Sequence, residues 1–309
     1  MHRAITLRLP TPFSVSRTLS FLRTSSLRTP YHFIGRDRVR RLVRLDGRPA
    51  VVEFEFARPG GRLRIREVRE PGPRAGGSRK GPALADALRR LAVSVWSLDD
   101  DLRRCYAALG RDPLMAPLLR HCAGLRMIRT PDLYETLLIA VVGQQVSVAS
   151  AESIRRRLIA ALGDRAVRDE TAYAGYPPPG RLLRTTPAAL RAIGLSRQKA
   201  RYVLEIAGRA AAGVLSAAAF DGLSDEQAMA RLIEIPGVGR WTAEIVLMRG
   251  LGRVDVFPAG DLGLGSAVQR LLRRRDRPTE DELRALADRW TGWRSYVALY
   301  LWRSLGIAA

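Results

Sequence analysis

At 309 residues the chain is long enough for two or three domains with cores of their own, and a hydrophobic content of 47% is globular rather than disordered. Lys and Arg number 52 against 30 Asp and Glu, and the resulting net charge of +22 suits a polyanionic partner, although a GC-rich genome also yields so strong an arginine bias. No apolar run approaches the roughly 20 residues of a membrane span. The N-terminus reads without a signal peptide. Two cysteines and three histidines supply no disulfide framework, no metal-ligand spacing and no four-cysteine iron–sulfur cluster; a reducing, cytoplasmic setting is expected.

Residues 1–76 read as a small antiparallel sheet with one or two helices packed on it. Strand-like stretches at 4–9, 31–34, 39–45, 51–56 and 63–68 surround a helix at 13–22, and several alternate apolar with polar residues. Turn signals at Asp46-Gly47 and Pro59-Gly60-Gly61 separate them. The Gly, Pro and basic residues of 71–82 read as a linker. From 83 onward the patterns are helical, with no strand expected. Helices are predicted over 83–95, 98–109, 131–142, 146–162, 187–193, 197–212, 225–233, 240–249, 262–272, 280–289 and 293–304, with start signals at Ser196, Ser224 and Thr279.

Two segments within this helical part carry chemistry. In Leu232-Ile233-Glu234-Ile235-Pro236-Gly237-Val238-Gly239-Arg240-Trp241-Thr242, a Pro/Gly turn joins two helices and leaves bare amides at the start of the second. Unpaired N–H groups and the helix dipole both favour an anion there, although a plain helix–turn–helix corner has the same pattern. Downstream, Val254-Asp255-Val256-Phe257-Pro258-Ala259-Gly260-Asp261-Leu262 places Asp261 just before a helical run. It can be an N-cap, an acid returned to the mouth of the hairpin, or both.

A hairpin followed by an aspartate resembles the helix-hairpin-helix superfamily of DNA glycosylases. Four strings in order resemble its alkylation-repair branch, the DNA-3-methyladenine glycosylase II type. They are Gly143-Gln144-Gln145-Val146-Ser147-Val148-Ala149, Pro236-Gly237-Val238-Gly239-Arg240-Trp241-Thr242-Ala243, Phe257-Pro258-Ala259-Gly260-Asp261-Leu262, and Trp293-Arg294-Ser295-Tyr296 with Trp302 beyond. The implied fold is α+β: a small N-terminal antiparallel β-sheet domain (1–76), then an all-α glycosylase core (83–309). Two lobes are implied in that core, 113–231 and 83–112 plus 232–309, with the site between them.

The resemblance implies an enzyme of base excision repair that flips alkylated purines of the 3-methyladenine and 7-methylguanine type out of duplex DNA and hydrolyses the glycosidic bond. Asp261 is the implied catalytic carboxylate, as electrostatic stabiliser or as base, with Asp255 read as structural. Trp241 and Trp302 match pocket aromatics, with Tyr300 or Tyr296 as further contributors; Leu262 stands where close relatives can carry an aromatic. Gln145 matches the residue that fills the vacated space in the stack, the alternative being a polar helix start capped by Ser147. Gly237, Gly239, Arg240 and Thr242 are the implied phosphate contacts, and Arg197 and Arg201 are further candidates.

A sodium or potassium ion held by the carbonyls of Ile233, Ile235 and Val238 is implied as a binding aid, with no other cofactor required. Strand-nicking relatives carry a lysine where this chain has Trp241. The only lysines here are Lys80, in the linker, and Lys199, in a helix read as far from the hairpin, so hydrolysis by water without lyase activity is expected. Damaged duplex DNA is the expected partner of a monomer without membrane association, cytoplasmic and nucleoid-associated. The alternatives are a glycosylase for deaminated or oxidised purines and a non-catalytic damaged-DNA-binding protein.

Overall fold

The Asp46-Gly47 turn has positive φ at both residues, 42° and 79°, the backbone that closes a tight antiparallel hairpin with the right twist. In the computed structural model, which describes residues 4–57, 61–69 and 82–306, this turn organises the N-terminal sheet. Strands β1 (Ile5–Arg8), β2 (His32–Ile34), β3 (Arg38–Leu45), β4 (Arg48–Ala57) and β5 (Arg62–Val68) pair antiparallel in the order β1-β5-β4-β3-β2, with helix α1 (Val15–Thr24) before β2. Alternation along β4 sends Val52, Phe54 and Phe56 to one face, where Phe54 and Phe56 meet Trp96 edge-on at 5.4 and 4.9 Å.

Next come α2 (Pro82–Val95), α3 (Leu102–Leu109), α4 (Met115–His121), α5 (Leu133–Gly143) and α6 (Val148–Leu162). A short hairpin of β6 (Arg165–Arg168) and β7 (Thr171–Ala174) follows. Then come α7 (Pro179–Leu183), α8 (Pro187–Ile193), α9 (Arg197–Ala211), α10 (Asp225–Ile233), α11 (Arg240–Arg249), α12 (Leu262–Leu271), α13 (Glu280–Ala287) and α14 (Arg294–Ser304). The architecture is α+β. Helices α5, α11 and α14 are buried on nearly every side, which explains why their sequences lack a polar face.

The hairpin β6–β7 corrects the expectation that no strand follows residue 83. Its Tyr173 covers Leu42, Val51 and Val68 on the second face of the sheet, and Arg40 donates to Asp169 and to the Tyr173 hydroxyl at 2.8 and 3.1 Å. Four-residue strands with a single fully buried side chain, Tyr173, and an exposed valine, Val167, leave little periodicity to read. Helices α4 and α7 also fall outside the predicted set; each is short and contains proline. Most of the linker at 71–82 lies outside the described residues, as does Lys80. On the β3 side, Arg41 reaches Glu135 of α5 with one nitrogen on both carboxylate oxygens, at 2.9 and 2.7 Å, and so ties the sheet to the helices.

Candidate active site

Glycine at 237 is required twice over: its φ is +87°, and an added Cβ would lie 2.3 Å from the Tyr202 ring. The chain then turns through Val238 into Gly239, the N-cap of α11. Neighbouring helices are capped by side chains: Ser224 and Thr279 form capping boxes, and Asp261 accepts from the Leu264 amide. Helix α11 receives no such cap, and a Cβ on Gly239 would meet open space. The first amides of a buried helix are thus left open to an approaching oxygen.

These amides border a cleft of about 1320 Å³. Three of its walls follow helical spacing: Trp241, Ile245 and Arg249 from α11; Thr136, Ala140 and Gly143 from α5; Val148, Ala151 and Arg155 from α6. Four exposed apolar side chains line it, Val146 (39%), Val148 (49%), Ile233 (45%) and Leu262 (70%). Apolar groups held in water around a basic, concave surface are suited to stacking against bases. Beside them the exposed Gln145 has φ +53°, a left-handed backbone that glutamine adopts only where the surroundings impose it.

Asp261 lies inside the cleft, half-buried at the start of α12. Its Oδ1 accepts from the Leu264 amide and from Trp302 Nε1, both at 3.0 Å, and its Oδ2 accepts from Trp241 Nε1 at 3.2 Å. Every contact is an N–H donor, a set that an ionised carboxyl, acceptor at both oxygens, satisfies. Capping and cleft placement are therefore simultaneous. Asp255 sits outside: Arg294 grips it with Nε and Nη2 at 2.7 and 2.9 Å. Burial would raise the Asp255 carboxyl, but this grip and two backbone amides hold it below its ordinary value.

Trp241, Trp302, Leu262, Gln145, Gly237, Gly239, Arg240, Thr242, Ile233, Ile235 and Val238 all line the cleft with Asp261. Tyr300 does not, which corrects its reading as a pocket aromatic. It is fully buried, with its hydroxyl on the Leu125 carbonyl, and Tyr296 likewise turns inward to Asp100. Arg197 and Arg201 are exposed on α9 beyond the cleft lining. Thr242 keeps its amide in the uncapped turn, while its side chain is buried and accepts from Gln144.

Lys199 brings a second correction. Although remote in sequence, it lines this same cleft and donates to the carbonyls of Val142 and Gln144. Burial lowers its ammonium from the usual lysine value. Arg249 was not anticipated; its guanidinium is buried 5.5 Å from the Trp302 ring centre, and desolvation lowers it to about 10 against the pull of Asp261. The spacing from Trp241, eight residues along one helix, was the available signal. Ser26 and Leu27, from the N-terminal part, also reach the cleft wall. Among the described residues no cluster of three His, Cys, Asp or Glu side chains is placed for a metal ion, and no helix is long and apolar enough to cross a membrane.

Comparison with known proteins gives the family. Residues 138–292, from α5 to just before α14, match the model of the HhH-GPD superfamily of base excision DNA repair proteins. The chain belongs to that superfamily. Among HhH-GPD relatives, the DNA-3-methyladenine glycosylase of Bacillus subtilis is 37% identical over 210 residues, 68% of this chain and 69% of its own. DNA-3-methyladenine glycosylase 2 of Escherichia coli is 32% identical, covering 73% of this chain and 74% of its own. The solved structure of the 3-methyladenine DNA-glycosylase from Archaeoglobus fulgidus superposes with a TM-score of 0.83 at 25% identity, over 97% of each chain. The HhH-GPD match includes the hairpin, Asp261 and the α5–α6 turn, and ends short of Trp302.

Proposed function

We propose that this HhH-GPD protein is a monofunctional DNA glycosylase: it everts alkylated purines of the 3-methyladenine and 7-methylguanine type from duplex DNA and hydrolyses their glycosidic bond. The observation that carries the reading is a carboxylate set by two indole N–H groups and a helix amide inside a basic cleft, beside an uncapped helix N-terminus. Glycosidic cleavage builds positive charge on the sugar, and a fixed carboxylate stabilises it without reorganising in the transition state. Oδ1 already accepts two donors and Oδ2 only one, so Oδ2 is the oxygen left to face the sugar or to orient the attacking water.

The duplex is held at the hairpin by the bare amides of α11, with Gly237, Gly239, Arg240 and Thr242 at the phosphate. The carbonyls of Ile233 and Val238 receive no hydrogen bond among the described residues, and that of Ile235 takes one from Val238. This donor set fits a monovalent cation, which would draw a phosphate oxygen towards the turn. Gln145 and its exposed valine neighbours fill the gap left in the stack. Half-buried Trp241 offers its ring to a cationic purine, an attraction of about 1–2 kcal/mol when desolvated.

Water as the nucleophile is supported by the indole of Trp241 where nicking relatives have their lysine, and by the engagement of Lys199 with two carbonyls. The test is release of free base from duplexes carrying 3-methyladenine, 7-methylguanine, hypoxanthine or uracil. Release of either methylpurine, leaving an intact abasic strand, is expected. If neither methylpurine is released, the substrate assignment is wrong; a borohydride-trapped protein–DNA adduct contradicts hydrolysis by water.

A further inference from the structure

The turn that joins α5 to α6 is gripped from two sides. From α9, Lys199 Nζ donates to the carbonyls of Val142 at 2.9 Å and Gln144 at 2.5 Å. These lie at and just beyond the C-terminal end of α5, where carbonyls lack helical partners and the dipole is negative. From the hairpin side, Gln144 Nε2 donates to the Gly237 carbonyl at 2.8 Å and the Thr242 hydroxyl at 2.9 Å. Gln144 is thus fixed through its main chain to α9 and through its side chain to the hairpin. The next residue is Gln145, exposed and left-handed.

We infer that Lys199 and Gln144 form a latch between the α5–α6 turn and the hairpin, with Lys199 as a positioning residue that holds the Gln145 tip in the conformation that enters DNA. The inference rests on the glycosylase reading of the cleft. A charged donor on two carbonyls is among the stronger hydrogen-bonding arrangements available, and it opposes relaxation of the left-handed tip. Gln144 carries that constraint to the hairpin, so the grip on the phosphate and the thrust into the base stack keep one fixed geometry. The step that depends on the latch is eversion; bond cleavage depends on Asp261.

The test compares two duplexes, one with 7-methylguanine in a normal pair and one with the same lesion in a single-nucleotide bulge, where little stacking opposes eversion. Lys199→Met should lower single-turnover excision from the paired duplex about tenfold or more, the loss of charge-assisted hydrogen bonds at the turn. On the bulged duplex the loss should be several times smaller. Fluorescence of 2-aminopurine beside the lesion should report slower eversion. Lys199→Arg, which keeps charge and donors, should recover most of the rate. Full wild-type activity of Lys199→Met on the paired duplex, or equal losses on both duplexes, overturns the latch. If that variant does not fold, Gln144→Leu, which severs the hairpin half, must show the same split, and equal losses there overturn it. A wild-type protein that releases neither 7-methylguanine nor 3-methyladenine, paired or bulged, removes the alkylpurine reading and the latch with it; an active wild type with an unchanged Lys199→Met removes the latch alone.

Discussion

Replacing Asp261 with asparagine probes charge at nearly constant shape. The amide oxygen can keep the contacts of Oδ1 to Leu264 and Trp302, while the amide nitrogen then faces the Trp241 indole N–H, 3.2 Å from the present Oδ2, donor against donor. A unit negative charge about 4 Å from a sugar cation contributes about 4 kcal/mol at an effective dielectric near 20. Asp261 is half-buried, so part of that is screened, and a 10²–10³-fold loss of single-turnover base release is expected, the range seen when one preorganised electrostatic contact is removed. Affinity for an undamaged duplex should stay within a few-fold, because the phosphate contacts proposed for this protein lie on the hairpin. Trp241→Phe, which removes one donor and leaves the charge, should cost about tenfold. Asp261→Asn acting within tenfold of wild type would refute the role given to the charge; parallel loss of duplex binding would show that Asp261 supports the fold of the cleft instead.

Arg41→Met leaves Glu135 buried without its partner, since the two side chains are only 2% and 9% exposed. A loss of about 3–5 kcal/mol is expected, visible as a melting temperature lower by about 10 °C; an unchanged melting curve would mean that the sheet and the helices are not coupled through this pair. The Asp255 carboxyl is depressed in the folded state by Arg294, so its contribution is present above the unfolded value near 4 and is lost as pH falls through the folded value. Asp255→Asn should therefore lower the melting temperature at pH 7, converge with wild type once the pH has fallen below the depressed folded value, and retain base release. Duplex affinity should fall steeply from about 50 to 200 mM salt, by a factor of 10³ or more if six phosphates are contacted; a flat titration would assign the +22 charge to genome composition alone.

What was legible in the sequence follows from how local each signal is. Strand alternation and the Asp46-Gly47 turn are written within a few residues, and so is the Pro236-to-Gly239 hairpin. Asp261 was readable as a cap because capping spans four residues, and as a cleft acid only through its place downstream of the hairpin and the resemblance that pairing carries. The β6–β7 hairpin was not legible, since its reason for existing is the second face of a sheet more than a hundred residues earlier, and only Tyr173 in it is fully buried.

Lys199 shows the limit most clearly. Separation along the chain from Trp241 argued that its amine was remote from the cleft, yet α9 packs on α5 and delivers the ammonium to the end of that helix. An i, i+3 reading of α9 would have paired Lys199 with Tyr202, whose ring lies where a side chain on Gly237 would have to go. That contact ties Gly237 of the hairpin to α9, the helix whose Lys199 holds the α5–α6 turn. Gly237 is fixed in this protein by Tyr202 as much as by its positive φ, and Tyr202 stands on the same helix face as the lysine that clamps Gln144. The hairpin turn and the α5–α6 turn are therefore braced by one helix, α9, from which the sequence alone offered only Arg197 and Arg201, both exposed beyond the cleft lining.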